Sequence, residues 1–283
     1  MTAVFRMVQF YASYDVVFLG LGRIAGGEIE YNVSRTWMAE ISDGLEALRR
    51  VMSLREIGSL IERTAKWVAP ETFKFLPLWF PEHSRRSLFY KSNWSEPQMN
   101  KNRATGHAVH KSEGNVHGNK ALTLALGLRG KDRPNWSCCH VWSVDDPQYQ
   151  LSNAIAMDRR FFSCVANMIL LPSPLKAFTD AMPDVKAMLR ICARNVYGWP
   201  SGAPEFETMN AELDKWFDWE SYPQSWPKTL NEKMPLGVAP FSPAIRDCAL
   251  KRLDATRHDL KEAGPYYPRE EVRAALAYWK IQL

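Results

Sequence analysis

The stretch from Trp136 to Tyr197 constrains this chain most. Two short apolar runs, Trp136 to Trp142 and Met168 to Leu171, are separated by a longer connection. The first carries His140, and the second is preceded by Asn167. Both have strand length. Pro172 and Pro174 break the second run, because proline has no N–H to give to a ladder. Beyond them, Leu175 and the segment from Pro183 to Tyr197 read as helix. Val185, Met188, Leu189, Cys192 and Val196 share one helical face. The predicted order is strand, connection, strand, helix.

The flanks read differently. Tyr14 to Leu19 and Glu28 to Val33 are predicted strands around a Gly26-Gly27 turn. A Gly20-Leu21-Gly22 loop for a dinucleotide is disfavoured, since the next segment reads as strand rather than helix. Residues 36 to 68 show three- and four-residue apolar spacing through Met38, Ile41, Leu45, Leu48 and Met52, then Leu54, Ile57, Leu60 and Ile61. Two helices packing on the N-terminal strands are expected there. Ser53 and Glu56 form a capping box for the second, and Pro70 ends the region. Residues 69 to 112 look irregular, with Leu76 to Pro81 as a buried extended segment. Glu113 to Leu128 reads as helix. A proline- and tryptophan-rich tract runs from Pro200 to Pro243, followed by helices over Pro243 to Lys261 and Pro268 to Gln282.

The whole is an α+β chain with three expected parts. Residues 1–112 form a strand-plus-helix region with a basic connector, 113–200 the strand–strand–helix module, and 201–283 a helical C-terminal region. With 283 residues and 46% hydrophobic content the chain can bury a substantial core. Its apolar runs stop far short of a membrane span. The N-terminus lacks a secretory pattern. Five cysteines, an odd number without a C-x-x-C pair, give no disulfide framework and no zinc ribbon. A cytoplasmic protein is expected. Eleven tryptophans are read first as core residues and second as a stacking or interface surface.

Charge is uneven. From Glu82 to Arg133 there are ten Lys/Arg and four acids, a net +6, within a chain whose total is +5. A solvated connector and a polyanion-binding surface are both open readings. Within or beside it lie His107, His110, Glu113 and His117; His107 and His110 could bind a metal from one face of a turn, but a flexible polar loop is the favoured reading. No Gly-x-Ser-x-Gly elbow and no phosphate-binding Gly-rich loop occurs, so serine-hydrolase and nucleotide-hydrolase classes find no support.

The segment Cys138-Cys139-His140-Val141-Trp142, then Asn167-Met168-Ile169-Leu170-Leu171-Pro172, then Lys176 through Asp180, resembles the ββα-metal core of HNH endonucleases. The resemblance spans about a sixth of the chain. It implies a fold with a ββα-metal-like module and metal-dependent hydrolysis of DNA phosphodiester bonds, in restriction or defence. It implies His140 as general base, Asn167 as the residue that fixes the connecting loop, and Asp180 as a metal ligand. Cys139 stands where the family has Asp, Glu or His, and Lys176 where it has His or Asn. Mg²⁺ or Mn²⁺ suits Asp180, and zinc suits Cys139. Asp145 or Asp146 could substitute as ligands. Lys176, Arg103, Lys111, Lys120, Arg129, Lys131 and Arg133 are the expected phosphate contacts. One site per chain makes double-strand cleavage awkward for a monomer, so a homodimer is expected. Two alternatives stay open. One is a non-catalytic nucleic-acid-binding protein on the same skeleton. The other is an interaction subunit using the Trp199 to Trp226 region.

Overall fold

A computed structural model of the chain describes residues 11–12, 15–16, 43–75, 79–143, 150–199 and 204–283. It divides into two units, Met1–Val51 and Met52–Leu283. In the first, β1 (Tyr11–Ala12) pairs antiparallel with β2 (Asp15–Val16), and α1 spans Gly44–Val51. Asp43 starts α1 by accepting from the Leu45 and Glu46 N–H groups at 2.9 and 3.1 Å. The Gly26-Gly27 hairpin and the helical turns before residue 43 lie outside the described residues.

The second unit holds everything else. α2 (Leu54–Thr64) opens on the expected capping box: Ser53 Oγ accepts from the Glu56 N–H, and the Ser53 N–H donates to the Glu56 carboxylate at 2.8 Å. It stops earlier than its apolar spacing suggests. Lys66 and Trp67 leave the helix to pair with other segments. Pro70 begins a helix rather than ending one: α3 is Pro70–Phe75. Proline suits the first helical turn, where its missing N–H would have no partner anyway.

Residues 87–112 are less irregular than their composition implies. β3 (Met99–Lys101) and β4 (Ala108–His110) form an antiparallel ribbon, exposed along both strands. α4 follows at Val116–Ala125, then β5 at Trp136–His140. α5 is Gln150–Met157 and β6 is Met168–Pro172. β5 and β6 pair antiparallel, with Trp136 opposite Pro172 and His140 opposite Met168. The free edge of β6 is covered: the Lys66 N–H donates to the Leu170 carbonyl at 2.9 Å, and the Leu170 N–H donates back at 3.1 Å. Trp67 in turn pairs in parallel with Val238. α6 (Lys176–Ala181) and α7 (Pro183–Tyr197) follow β6, then α8 (Pro204–Trp216), α9 (Pro243–Glu262) and α10 (Arg269–Tyr278).

Packing explains why β6 reads as an unbroken apolar run. Met168, Ile169, Leu170 and Leu171 are all buried, so both faces of the strand are covered. Cys138, Met168 and Leu170 join Leu122 and Ala125 of α4 and Ile245 of α9 in one cluster. α7 is buried around most of its circumference and forms the central helix of the unit. A smaller cluster of Leu260, Tyr267, Val272 and Leu276 ties α9 to α10. Five of the tryptophans serve the core. Trp67, Trp79, Trp142, Trp199 and Trp226 are fully buried, and Trp67 meets Trp226 edge to face at 5.5 Å. Trp199 and Trp226 therefore do not form an exposed interface.

The fold is mixed α and β, as expected. The boundaries expected after residues 112 and 200 fall inside the second unit, where hydrogen bonds cross both. Glu113 N–H donates to Ser87, and the Asn195 side chain donates to Pro227. The tract after Pro200 also contains a helix, α8, with Phe206, Met209 and Leu213 buried. Among the described residues, no helix is long and apolar enough to cross a membrane.

Candidate active site

The β5–β6 pair, with α6 after it, has the predicted strand–strand–helix order. A cavity of about 140 Å³ lies against it, lined in part by Cys139, His140, Lys176, Asp180, Arg85 and Asn115. Four of the residues singled out from sequence thus share one cleft.

Asn167 sits just before β6, fully buried. Its side chain closes a reciprocal pair of bonds with one residue of the connection. The Trp142 N–H donates to Asn167 Oδ1 at 2.8 Å, and Asn167 Nδ2 donates to the Trp142 carbonyl at 3.1 Å. The Val141 N–H adds a bond to the Asn167 carbonyl at 2.9 Å. The backbone leaving His140 is therefore pinned. From the other side, Arg190 Nε of α7 donates to the Val141 carbonyl at 3.2 Å, and its guanidinium lies 4.1 Å from the Trp142 ring centre. Lys186, one turn earlier, donates to Ser143 Oγ.

His140 is buried, and its ring stacks on Phe162 at 5.7 Å between centroids. Its Nε2 lies 3.2 Å from the Phe162 carbonyl oxygen. A carbonyl can only accept, so Nε2 carries the proton and Nδ1 carries the lone pair. Burial pushes the imidazole pKa down to about 4, and the positive charges of Arg85, Lys186 and Lys176 act the same way. The ring is neutral at pH 7. α4 packs tightly here because residue 118 is glycine. A Cβ at Gly118 would stand 3.2 Å from His140 Cε1 and Nε2.

Cys139 and the α6 pair form another wall. Burial pushes the Cys139 thiol up to about 11, against a hydrogen bond from Thr179 and the nearby Lys176 charge. Lys176 Nζ and the Asp180 carboxylate, one helical turn apart, form an ion pair, both partly exposed. A hard divalent cation needs ionised oxygen donors. Here the one carboxylate is already paired with lysine, and the thiol stays protonated at neutral pH. A cation held by Cys139 and Asp180 would have to displace Lys176 from the carboxylate and the proton from the thiol. Asp145 and Asp146 lie outside the described residues.

Arg85 faces the same cavity, with Nη1 donating to Asn115 Oδ1 at 2.8 Å. The other expected phosphate contacts are dispersed. Arg103 is in the turn of the β3–β4 ribbon, and Lys111, just after it, lies 4.1 Å from the Phe89 ring centre. Lys120 on α4 lies 5.1 Å from the Phe80 ring centre. Arg129 pairs with Asp132, and Lys131 is exposed beside it. Arg133 donates to the Asn119 side chain at 3.2 Å and lines a separate, more apolar cavity. Of the seven, only Lys176 lines the cleft. The basic segment from Arg85 to Arg133 was expected to hold phosphates, so Arg85 was within it; Asn115, Lys186 and Arg190 were not singled out. The spacing of Lys186 and Arg190, one turn apart among the apolar residues of α7, was the available signal.

Next to this wall lies a second polar cluster. His117 Nδ1 is 2.9 Å, and His83 Nδ1 3.4 Å, from the same Glu113 oxygen. Burial works to raise the Glu113 carboxyl, and hydrogen bonds from the two histidines overcome it, holding it at about 2. His107 and His110, on the exposed ribbon, are not part of it. No family model, no curated protein and no solved structure matches this chain.

Proposed function

We propose that the cleft is an HNH-type phosphodiester-hydrolysing site acting on DNA, as a divergent endonuclease. One observation carries the reading. Asn167 binds both backbone polar groups of Trp142 and so fixes the chain that leaves His140, within a strand–strand–helix unit whose helix brings Lys176 and Asp180 to the same cleft.

The chemistry follows from the side chains. A neutral His140 with its lone pair on Nδ1 takes a proton from the attacking water. The bond to the Phe162 carbonyl holds the ring's orientation and shares the positive charge that develops on it. Lys176 and Arg85 offer positive charge to the phosphate oxygens as the transition state forms. No step is routed through a metal ion, because Lys176 holds Asp180 and the Cys139 thiol keeps its proton.

A binding-only function is the second reading. The Lys176–Asp180 pair and the protonated Cys139 favour it, since both stand where ionised ligands would otherwise be. The two readings separate in a nicking assay on supercoiled and single-stranded DNA with Mg²⁺, Mn²⁺ or EDTA. The expected result is cleavage that persists in EDTA and falls roughly 100- to 10,000-fold in His140→Ala. Cleavage only with Mg²⁺ or Mn²⁺ would return Asp180 to a ligand role. Salt-sensitive binding with no cleavage under any condition would leave the binding-only reading.

A further inference from the structure

We infer that His83, Glu113 and His117 form a site for one divalent transition-metal ion of zinc type, apart from the hydrolytic cleft. The inference does not depend on the nuclease reading. One ligand atom from each residue lies within 4.8 Å of the others. A tetrahedral ion with bonds of about 2.0–2.1 Å needs neighbouring donors about 3.3 Å apart. The two measured separations from the Glu113 oxygen, 2.9 and 3.4 Å, bracket that value. Two imidazoles and one carboxylate are borderline donors that suit zinc better than magnesium.

Two further features point to a bound cation. The Glu113 side chain is fully buried, and its Oε1 has no hydrogen-bond partner. Among the described residues no lysine or arginine pairs with it, since Arg252 serves the neighbouring Glu82. A buried carboxylate with one bare oxygen keeps an acceptor position open that a cation would fill. The His83 and His117 rings also lie face to face, 3.3 Å between centroids and 8° from parallel. Aromatic rings avoid that direct stack in favour of offset or edge arrangements. Here both rings are drawn to the same oxygen, and a cation between the three atoms gives each Nδ1 lone pair its own bond as the rings splay. Glu82 lies 3.9 Å from His83 Nε2, beyond hydrogen-bond reach but near enough to add negative charge beside the site.

The ligands come from two segments. His83 lies in the turn before residue 87, while Glu113 and His117 lead into α4. Those segments are already joined, since the Arg86 N–H donates to the Glu113 carbonyl at 3.1 Å. Arg85 and Asn115, which face the cleft, each stand two residues from a ligand. The ion would cross-link the segments that form this wall.

The test uses the full chain, stripped with chelator and titrated with Co²⁺ and then Zn²⁺. The expected result is one Co²⁺ per chain with visible d–d absorption, displaced by Zn²⁺. No thiolate charge-transfer band should appear, because no cysteine is a ligand. The melting temperature should rise with Zn²⁺ concentration. Glu113→Gln and His117→Ala, checked for folding by circular dichroism, should each weaken binding roughly tenfold or more. His140→Gln and Cys139→Ser should bind as wild type does. Sub-stoichiometric uptake at millimolar Co²⁺ by folded wild type would overturn the inference. So would unchanged binding in folded Glu113→Gln, or loss of binding in Cys139→Ser.

Discussion

At the scale of single residues, Asn167 and His140 set the geometry of the cleft. Asn167→Ala removes the two bonds that the side chain makes to the Trp142 N–H and carbonyl in a buried place. The expected loss is about 2–4 kcal/mol, read from the urea midpoint, with activity falling further as the chain after His140 loosens. An unchanged midpoint would remove the pinning role. His140 makes stability depend on pH in a stated direction. Its folded pKa of about 4 lies below its ordinary value of 6.5. Between those values the unfolded chain takes up a proton that the folded chain refuses. The contribution is therefore absent above pH 6.5, and stability falls as pH drops from 6.5 toward 4, by up to about 3 kcal/mol. Urea melts at pH 7, 5.5 and 4.5 should show a steeper loss for wild type than for His140→Gln. Parallel losses would place the charge penalty elsewhere. Both residues were legible in the sequence because His140 lies within one short apolar run and Asn167 immediately precedes the other. Pairing His83 with Glu113 was not legible: thirty residues separate them, and only the fold brings the imidazole to the carboxylate.

At the scale of elements, legibility followed burial. α2 and α7 each bury an apolar stripe, so their helical period shows in the sequence. β5 and β6 show as apolar runs because they lie in the core. The β3–β4 ribbon has no buried face, so no alternation marked it. It carries Lys101 and Arg103, both exposed. If the chain binds DNA through this ribbon, replacing both with alanine should reduce the slope of log affinity against log salt by about 2. The melting temperature should not move. An unchanged slope would take the ribbon out of the interface. Gly237 is an element-scale constraint of another kind. It has φ +82°, and a Cβ there would stand 2.1 Å from the Ala65 carbonyl oxygen. Gly237→Ala should break the pairing of Trp67 with residues 237–239 and lower stability by roughly 2 kcal/mol or more. A thermal melt within a degree of wild type would contradict this.

At the scale of the molecule, the basic segment is not one surface. Arg85 faces the cleft, Arg133 a separate cavity, Arg129 its own Asp132, and Arg103 the tip of the ribbon. A count along the sequence adds charges that folding scatters. Alternation of burial at the scale of three or four residues is different, because it is local and survives in one dimension. That is why the sequence by itself determined the mixed α and β character, the β5–β6 strands, the capped start of α2, the run of α7, and the placing of His140 on one strand and Asn167 just before the other. The tertiary structure alone decided three things. It covered the β6 edge with Lys66, and it brought the Lys176–Asp180 turn of α6 into one cleft with His140, Arg85 and Asn115. It also gathered His83, Glu113 and His117 around one carboxylate oxygen. Each depends on distances between side chains set by packing, and packing is not written in the spacing of residues along the chain.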